Sequence, residues 1–150
     1  MKTGFLSSNP PNRSANQRTA RTDANGAYWI FGYDELGQAV AGKKYRSDGQ
    51  PVMGQQFEYL FDWIGNRLSS SAGGDEQGAG LRTSSYTPNA LNQCSQRTVP
   101  TWVSVLGEAS SNTTVTVNLH PTKRHGDYYW TELWLNNSTG AVYQAVTNVA

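Results

Sequence analysis

The chain has 150 residues, the length of one ordinary domain or of two small modules. Lysine and arginine total 12 against 11 aspartate and glutamate residues, so the net charge of +1 gives no strong field for recruiting nucleic acid or an anionic membrane. The single cysteine, Cys94, excludes an internal disulfide framework and a multi-cysteine metal site. No stretch approaches the roughly 18 apolar residues that span a bilayer, and the amino end lacks the apolar stretch of a secretory signal, so we expect no membrane insertion.

The kinds of apolar residue favour an all-β fold. Aromatic residues make up 11% of the chain, Val and Thr are frequent, and there are 15 glycines. Branched and aromatic side chains suit a pleated, half-buried surface, while Gly and Asn suit tight turns. The composition therefore predicts short antiparallel strands joined by hairpins.

Residues 1–27 form the first segment in chain order, and we expect them to be a polar tail or linker. They contain Pro10-Pro11 and scattered Arg, Asn and Thr, with neither helical nor alternating periodicity. Three arginines in this segment are too few for a basic arm that binds nucleic acid.

Residues 28–100 carry a repeated turn pattern that predicts a series of β-hairpins. In two copies, offset by 28 residues, an aromatic residue and an Asp precede two residues and a Gly. The Asp side chain can accept backbone N–H groups across the turn, and Gly can adopt positive φ. The predicted turn-forming residues are Tyr33, Asp34, Gly37, Phe61, Asp62, Gly65 and Asn66, with Tyr28, Phe31, Phe57 and Tyr59 packing the sheet.

Two further stretches of this region give weaker signals. Residues 86–93 look like a degraded third copy that has lost Asp and Gly, and Pro88 favours an edge strand there. The glycine-rich residues 72–80 match neither a phosphate-binding loop nor a calcium loop, so we expect a flexible connector.

Residues 101–150 change to strict alternation and predict a small antiparallel β-module. The alternating runs cover residues 113–119, 128–135 and 141–149. In the middle run, one strand face holds Tyr128, Trp130, Glu132 and Trp134. If exposed, these rings would form a flat platform for stacking on sugar rings, with Glu132 as an acceptor; if buried, they belong to a core.

No pattern of catalytic residues emerges, so we expect no enzyme, cofactor or metal site. Asp34 and Asp62 occupy equivalent turn positions, which turn formation explains better than a glycosidase pair does. His120 and His125 could supply two metal ligands or a general base, but a solvated loop accounts for them as well, because metal sites usually need three or four ligands. There is no nucleophile–base pair and no cofactor fingerprint.

The two turn copies resemble the YD repeats of the RHS-repeat family. The matching segments are Tyr33-Asp34-Glu35-Leu36-Gly37 and Phe61-Asp62-Trp63-Ile64-Gly65-Asn66-Arg67, and residues 86–100 are similar to a segment that often follows such repeats. The resemblance implies a β-ribbon that spirals into a hollow shell, in large secreted or surface-attached bacterial proteins that often enclose a toxic domain and are associated with carbohydrate binding. Two or three repeats cannot close a shell, so the expected partner is the rest of a parent protein.

Two functional hypotheses follow from the sequence. The first is a structural segment of an RHS-like β-shell in an extracellular or cell-surface protein. The alternative is a carbohydrate-binding β-module that uses the aromatic residues of 128–134.

Overall fold

The computed structural model describes residues 17–150 and confirms the all-β fold. The described residues form antiparallel sheets of seven, three and three strands, and none of them lies in a helix. Accordingly, this part of the chain holds no helix of the length and apolarity that crossing a membrane requires.

The seven-stranded sheet is a simple meander, because its spatial order follows the chain from β1 to β7. Every neighbouring pair is antiparallel and is joined by a short turn. The strands are β1 (Ala20–Thr22), β2 (Tyr28–Tyr33), β3 (Ala39–Tyr45), β4 (Pro51–Phe61), β5 (Arg67–Gly73), β6 (Arg82–Pro88) and β7 (Cys94–Arg97).

The remaining strands form two small sheets, in the orders β11-β12-β8 and β10-β9-β13. The strands are β8 (Trp102–Glu108), β9 (Thr116–Val117), β10 (His120–Pro121), β11 (Lys123–His125), β12 (Tyr128–Trp134) and β13 (Asn148–Val149). The predicted run 128–135 corresponds closely to β12. The predicted runs 113–119 and 141–149 shorten to the two-residue strands β9 and β13, while β8 was not predicted at all.

The sheet begins eight residues before the predicted boundary at residue 28. Strand β1 lies within the segment expected to be a tail, and the rest of that expectation, for residues 1–16, falls outside the described residues. All three residues of β1 are exposed, so no apolar alternation marks it. Pairing with β2 holds it in place, with Arg21 opposite Trp29.

One face of the seven-stranded sheet is aromatic, and we call it the inner face. The register places Phe31, Gly42, Phe57 and Ala72 in one row across β2 to β5. Trp29 stacks on Phe31 and on Phe57, with ring centroids 6.1 Å apart in both pairs. These rings are half-buried.

The outer face of the same sheet is exposed to solvent. It carries Ile30, Leu60 and the ion pair between Lys43 and Glu58, whose atoms lie 2.6 Å apart. Tyr28, expected to pack with Phe31, alternates to this outer face instead and stacks on Tyr45 at 5.4 Å.

The β8–β12 sheet packs against β4, and this contact makes the main core. Val52 and Met53 of β4 are buried, as is Trp130 of β12. At Gly54 a Cβ atom would lie 2.8 Å from Cδ1 of Trp130, and φ of Gly54 is +74°. Glycine is therefore required where β4 contacts β12. Residues 101–150 are thus joined to the hairpin sheet through a shared core.

Arg124 fixes the connection between β8 and β9. Its guanidinium donates hydrogen bonds to the carbonyl oxygens of Thr113, Ala109 and Ser110 at 2.9–3.0 Å. The loop carbonyls therefore gain a charge-assisted donor in place of water.

Candidate functional site

The turn at residues 62–66 is held by the carboxylate of Asp62. Its Oδ1 accepts the backbone N–H groups of Ile64 at 3.1 Å and of Asn66 at 2.8 Å. Its Oδ2 accepts the side-chain amide of Asn66 at 2.8 Å. The backbone closes the turn with a bond from the N–H of Gly65 to the carbonyl of Asp62, and φ of Gly65 is +91°.

The turn at residues 34–38 repeats this arrangement. Oδ1 of Asp34 accepts the N–H groups of Leu36 at 3.0 Å and of Gln38 at 2.8 Å. The N–H of Gly37 donates to the carbonyl of Asp34, and φ of Gly37 is +83°. Both predicted acids therefore act as hydrogen-bond acceptors inside a turn.

The aromatic residue before each Asp lies where the strand register shifts. The pairing of β2 with β3 shifts between Gly32 and Tyr33, and that of β4 with β5 shifts between Leu60 and Phe61. The hydroxyl of Tyr33 donates to the carbonyl of Arg18 at 2.9 Å. Each ring thus marks an irregularity next to its turn, a feature that strengthens local twist.

Two more reversals have the same geometry. The first keeps Asp and Gly at the same spacing but has no aromatic residue before the Asp, and the second has asparagine at both positions. In residues 75–79, Oδ1 of Asp75 accepts the N–H groups two and four residues later, at 2.9 Å and 3.0 Å. In residues 89–93, Oδ1 of Asn89 does the same at 2.9 Å and 3.0 Å, and Asn92 takes the glycine position with φ of +61°. The expected flexible connector and the degraded copy are therefore both complete turns.

The last two reversals keep the backbone geometry and move the side-chain acceptor. These are residues 23–27 and 46–50. In each, the backbone N–H of the first residue donates to the carbonyl of the fifth, and the N–H of the fourth donates to the carbonyl of the first. The acceptor is the third residue, Asn25 or Asp48, whose Oδ1 takes the N–H of the fifth residue at 3.0 Å. One five-residue backbone reversal thus joins all seven strands of the meander.

Turns at the same end of the sheet contact one another. Successive turns of a meander alternate between its two ends, so residues 34–38, 62–66 and 89–93 share one end. The side-chain amide of Asn66 donates to Oδ1 of Asn92 at 3.1 Å, and Gly65 lies beside Gln38, whose Oε1 would be 3.8 Å from an added Cβ. The turns therefore form a continuous row.

Hydrogen bonding keeps the Asp62 carboxyl ionised. The side-chain amide of Asn66, helped by backbone N–H groups of the turn, outweighs the desolvation penalty and lowers the pKa of Asp62 below its ordinary value of 3.8. A carboxylate with a lowered pKa is a good acceptor and a poor proton donor, which suits a structural role.

The predicted aromatic platform is largely buried. Tyr128 and Trp130 are only 7% and 8% exposed, because they pack between the two sheets. Glu132 receives a bidentate hydrogen bond from Arg82, at 3.1 Å and 2.6 Å. Only Trp134 remains open, at 57%. Tyr128 and Trp130 therefore lack the flat exposed surface that sugar stacking needs. The sequence could not predict this burial, because alternation does not tell which face of a strand is covered.

The other candidate residues stay apart. His120 lies on β10 and His125 on β11. Within residues 17–150, no three His, Cys, Asp or Glu side chains come together as metal ligands. Cys94 is exposed, and its thiol donates to the carbonyl of Gln96 at 3.3 Å.

The inner face also holds a cluster of aromatic and basic residues that the sequence analysis did not identify. The guanidinium carbons of Arg67 and Arg97 lie 5.8 Å and 5.5 Å from the ring centre of Tyr86. A hydrogen bond between the hydroxyls of Tyr86 and Ser70, at 3.1 Å, together with the two arginines, lowers the pKa of Tyr86. The position of Arg67 directly after the 62–66 turn is the one sequence signal that could have indicated this aromatic and basic cluster.

Comparison with known proteins found no matching protein-family model, curated protein or solved structure.

Proposed function

We propose that this chain is a structural segment of an RHS-like β-shell, within a larger secreted or surface-attached protein that encloses or displays another domain. The observation that carries the proposal is the use of one five-residue backbone reversal at all six turns between β1 and β7. Such a sheet lengthens by adding hairpins of the same kind, which is the requirement for a long ribbon.

The exposed edges of the sheet support continuation. Strands β1 and β7 are short, and every residue in both is exposed. An edge strand presents backbone N–H and C=O groups that can pair with another strand. In the proposed parent protein, flanking hairpins pair with these two edges.

The difference between the two faces also fits a curved ribbon. Aromatic side chains such as Phe57 and Tyr59 line the inner face, whereas the outer face carries an exposed ion pair. In the proposed shell, the inner aromatic face points toward the interior, and the outer face, which carries the ion pair together with the exposed Ile30 and Leu60, points toward solvent. The β8–β12 sheet then covers one part of that interior.

Hydrogen exchange tests the proposal directly. The outward-facing amides of β7 are expected to exchange rapidly in the isolated chain and to become protected in a longer product that includes the flanking sequence. Amides of β4, which are paired on both sides, serve as the internal control. If the β7 amides exchange equally fast in both proteins, the sheet does not continue and the proposal fails.

A further inference from the structure

A cleft of about 330 Å³ opens between the inner face of the hairpin sheet and β8. It lies at the low end of the size range of small-molecule sites. Its walls include Phe57, Ser84, Arg97, Trp102, Ser104 and Leu106. The cleft is separate from the turns. On β8 it is lined by Leu106, Ser104 and Trp102, which are the cross-strand neighbours of Trp130, Glu132 and Trp134.

The cleft carries surplus positive charge. Arg82 lines it but is already paired with Glu132 through two hydrogen bonds. Arg97 also lines it, and within residues 17–150 its guanidinium has no ion-pair partner. Arg67 lies near the same Tyr86 ring and likewise pairs with no carboxylate of the described chain. One free guanidinium therefore lines the cavity, and a second adds positive potential nearby.

Two hydroxyl groups complete the polar part of the cleft. Ser84 is only 4% exposed, and Ser104 faces Gly73 across the gap, 3.6 Å from where a Cβ of that glycine would lie. Neither hydroxyl hydrogen-bonds to another group of residues 17–150. Polar groups in a covered position normally have a partner, so these hydroxyls are suited to a ligand or to water.

Apolar side chains complete the lining on both sides of the cleft. Phe57 belongs to the hairpin sheet, while Leu106 and the indole of Trp102, which is 41% exposed, belong to β8, and Pro100 precedes that strand. Apolar surface beside a guanidinium and two hydroxyls fits a molecule with an apolar body and one anionic end.

We propose that this cleft binds the carboxylate of a small, partly apolar organic acid. Arg97 takes the carboxylate through the two parallel N–H groups of its planar guanidinium, a geometry that suits carboxylates. Ser84 and Ser104 supply neutral hydrogen bonds, and Phe57 and Trp102 contact the apolar body. A single free guanidinium in the cavity matches one negative charge better than the two of phosphate. The assignment holds whether or not the chain belongs to a shell.

Titration calorimetry of the full 150-residue chain with benzoate is the test. Benzoate is expected to bind saturably, and its uncharged isostere benzamide at least about tenfold more weakly, which is the loss expected from removing a charge-assisted hydrogen bond. Arg97→Gln is expected to weaken benzoate binding by a similar factor. The matched control is Arg18→Gln, which removes the same charge from an exposed residue that does not line the cleft; it should change affinity by less than about twofold.

Several outcomes would overturn the assignment. They are an absence of saturable benzoate binding, equal affinity for benzamide, phosphate binding as tight as that of benzoate, and unchanged affinity in Arg97→Gln. Thermal melting establishes whether Arg97→Gln folds. If it does not, the comparison of benzoate with benzamide on the parent chain decides alone.

Discussion

Replacing Gly65 with alanine isolates the backbone conformation that the repeated turn demands. Gly65 has φ of +91°, and an added Cβ would meet only Oε1 of Gln38, at 3.8 Å. The substitution therefore creates no clash, and the expected loss is the left-handed penalty of about 1–2 kcal/mol for an L-residue. With a urea slope of about 2 kcal/mol/M, the middle of the range for small proteins, the urea midpoint should fall by about 0.5–1 M.

Urea unfolding followed by far-ultraviolet circular dichroism measures this change, and the chain offers a matched control. Gly42 lies within β3 without a positive φ, and its added Cβ would contact Phe31 at an ordinary 3.6 Å. Gly42→Ala should leave the midpoint unchanged or raise it, since alanine loses less backbone entropy than glycine. Gly65→Val should cost more than Gly65→Ala, because valine is branched at Cβ. If Gly65→Ala unfolds at the parent midpoint, the proposed requirement for positive φ is refuted.

Three further predictions address other parts of the molecule. Asn92→Gly should unfold at the parent urea midpoint or above it, whereas Asn92→Ala should unfold below it. The reason is that this turn position has φ of +61°, which alanine tolerates poorly. Equal midpoints for the two variants would contradict the assigned turn. Trp130→Ala should lower the free energy of unfolding by about 3–5 kcal/mol, against a change within about 0.5 kcal/mol for the exposed Trp134→Ala; similar losses would exclude an inter-sheet core around Trp130. Because the pKa of Asp62 is lowered on folding, its contribution to stability is present above pH 3.8 and is lost as the pH falls through the lower folded value. Urea midpoints between pH 6 and pH 2 should therefore fall more steeply in the parent than in Asp62→Asn, and parallel curves would disprove the linkage.

The local chemistry of the turns was largely predictable from sequence. Asp62 and Gly65 have well-defined roles in a tight reversal, and the structure places them in those roles. Residues 86–93 look like a degraded copy in the sequence because asparagine replaces both the Asp and the Gly there. Asn89 accepts the same N–H groups as an aspartate, and Asn92 adopts left-handed φ, so the geometry survives the substitution.

The contacts between distant segments could not be predicted in this way. Alternation in β12 showed that Trp130 and Trp134 share a face, but burial of Trp130 depends on Gly54, far away in the chain. Pairing of Arg82 with Glu132 and the free charge of Arg97 likewise depend on how β8 packs over the hairpin sheet. A periodic pattern carries no information about which partner covers a face.

The central claim is that one repeated reversal builds a meander in sequence order. Cross-strand nuclear Overhauser effects in the isotope-labelled chain test this claim most directly. The predicted pairs are Trp29 with Lys44, Phe57 with Ala72, and Ser70 with Ser84, together with a contact between Gly54 and the indole of Trp130. Observation of all four would support both the hairpin register and the shared core. Helical medium-range contacts through Gly37 or Gly65, or strand pairs in a different order, would contradict the architecture and the proposed function that depends on it.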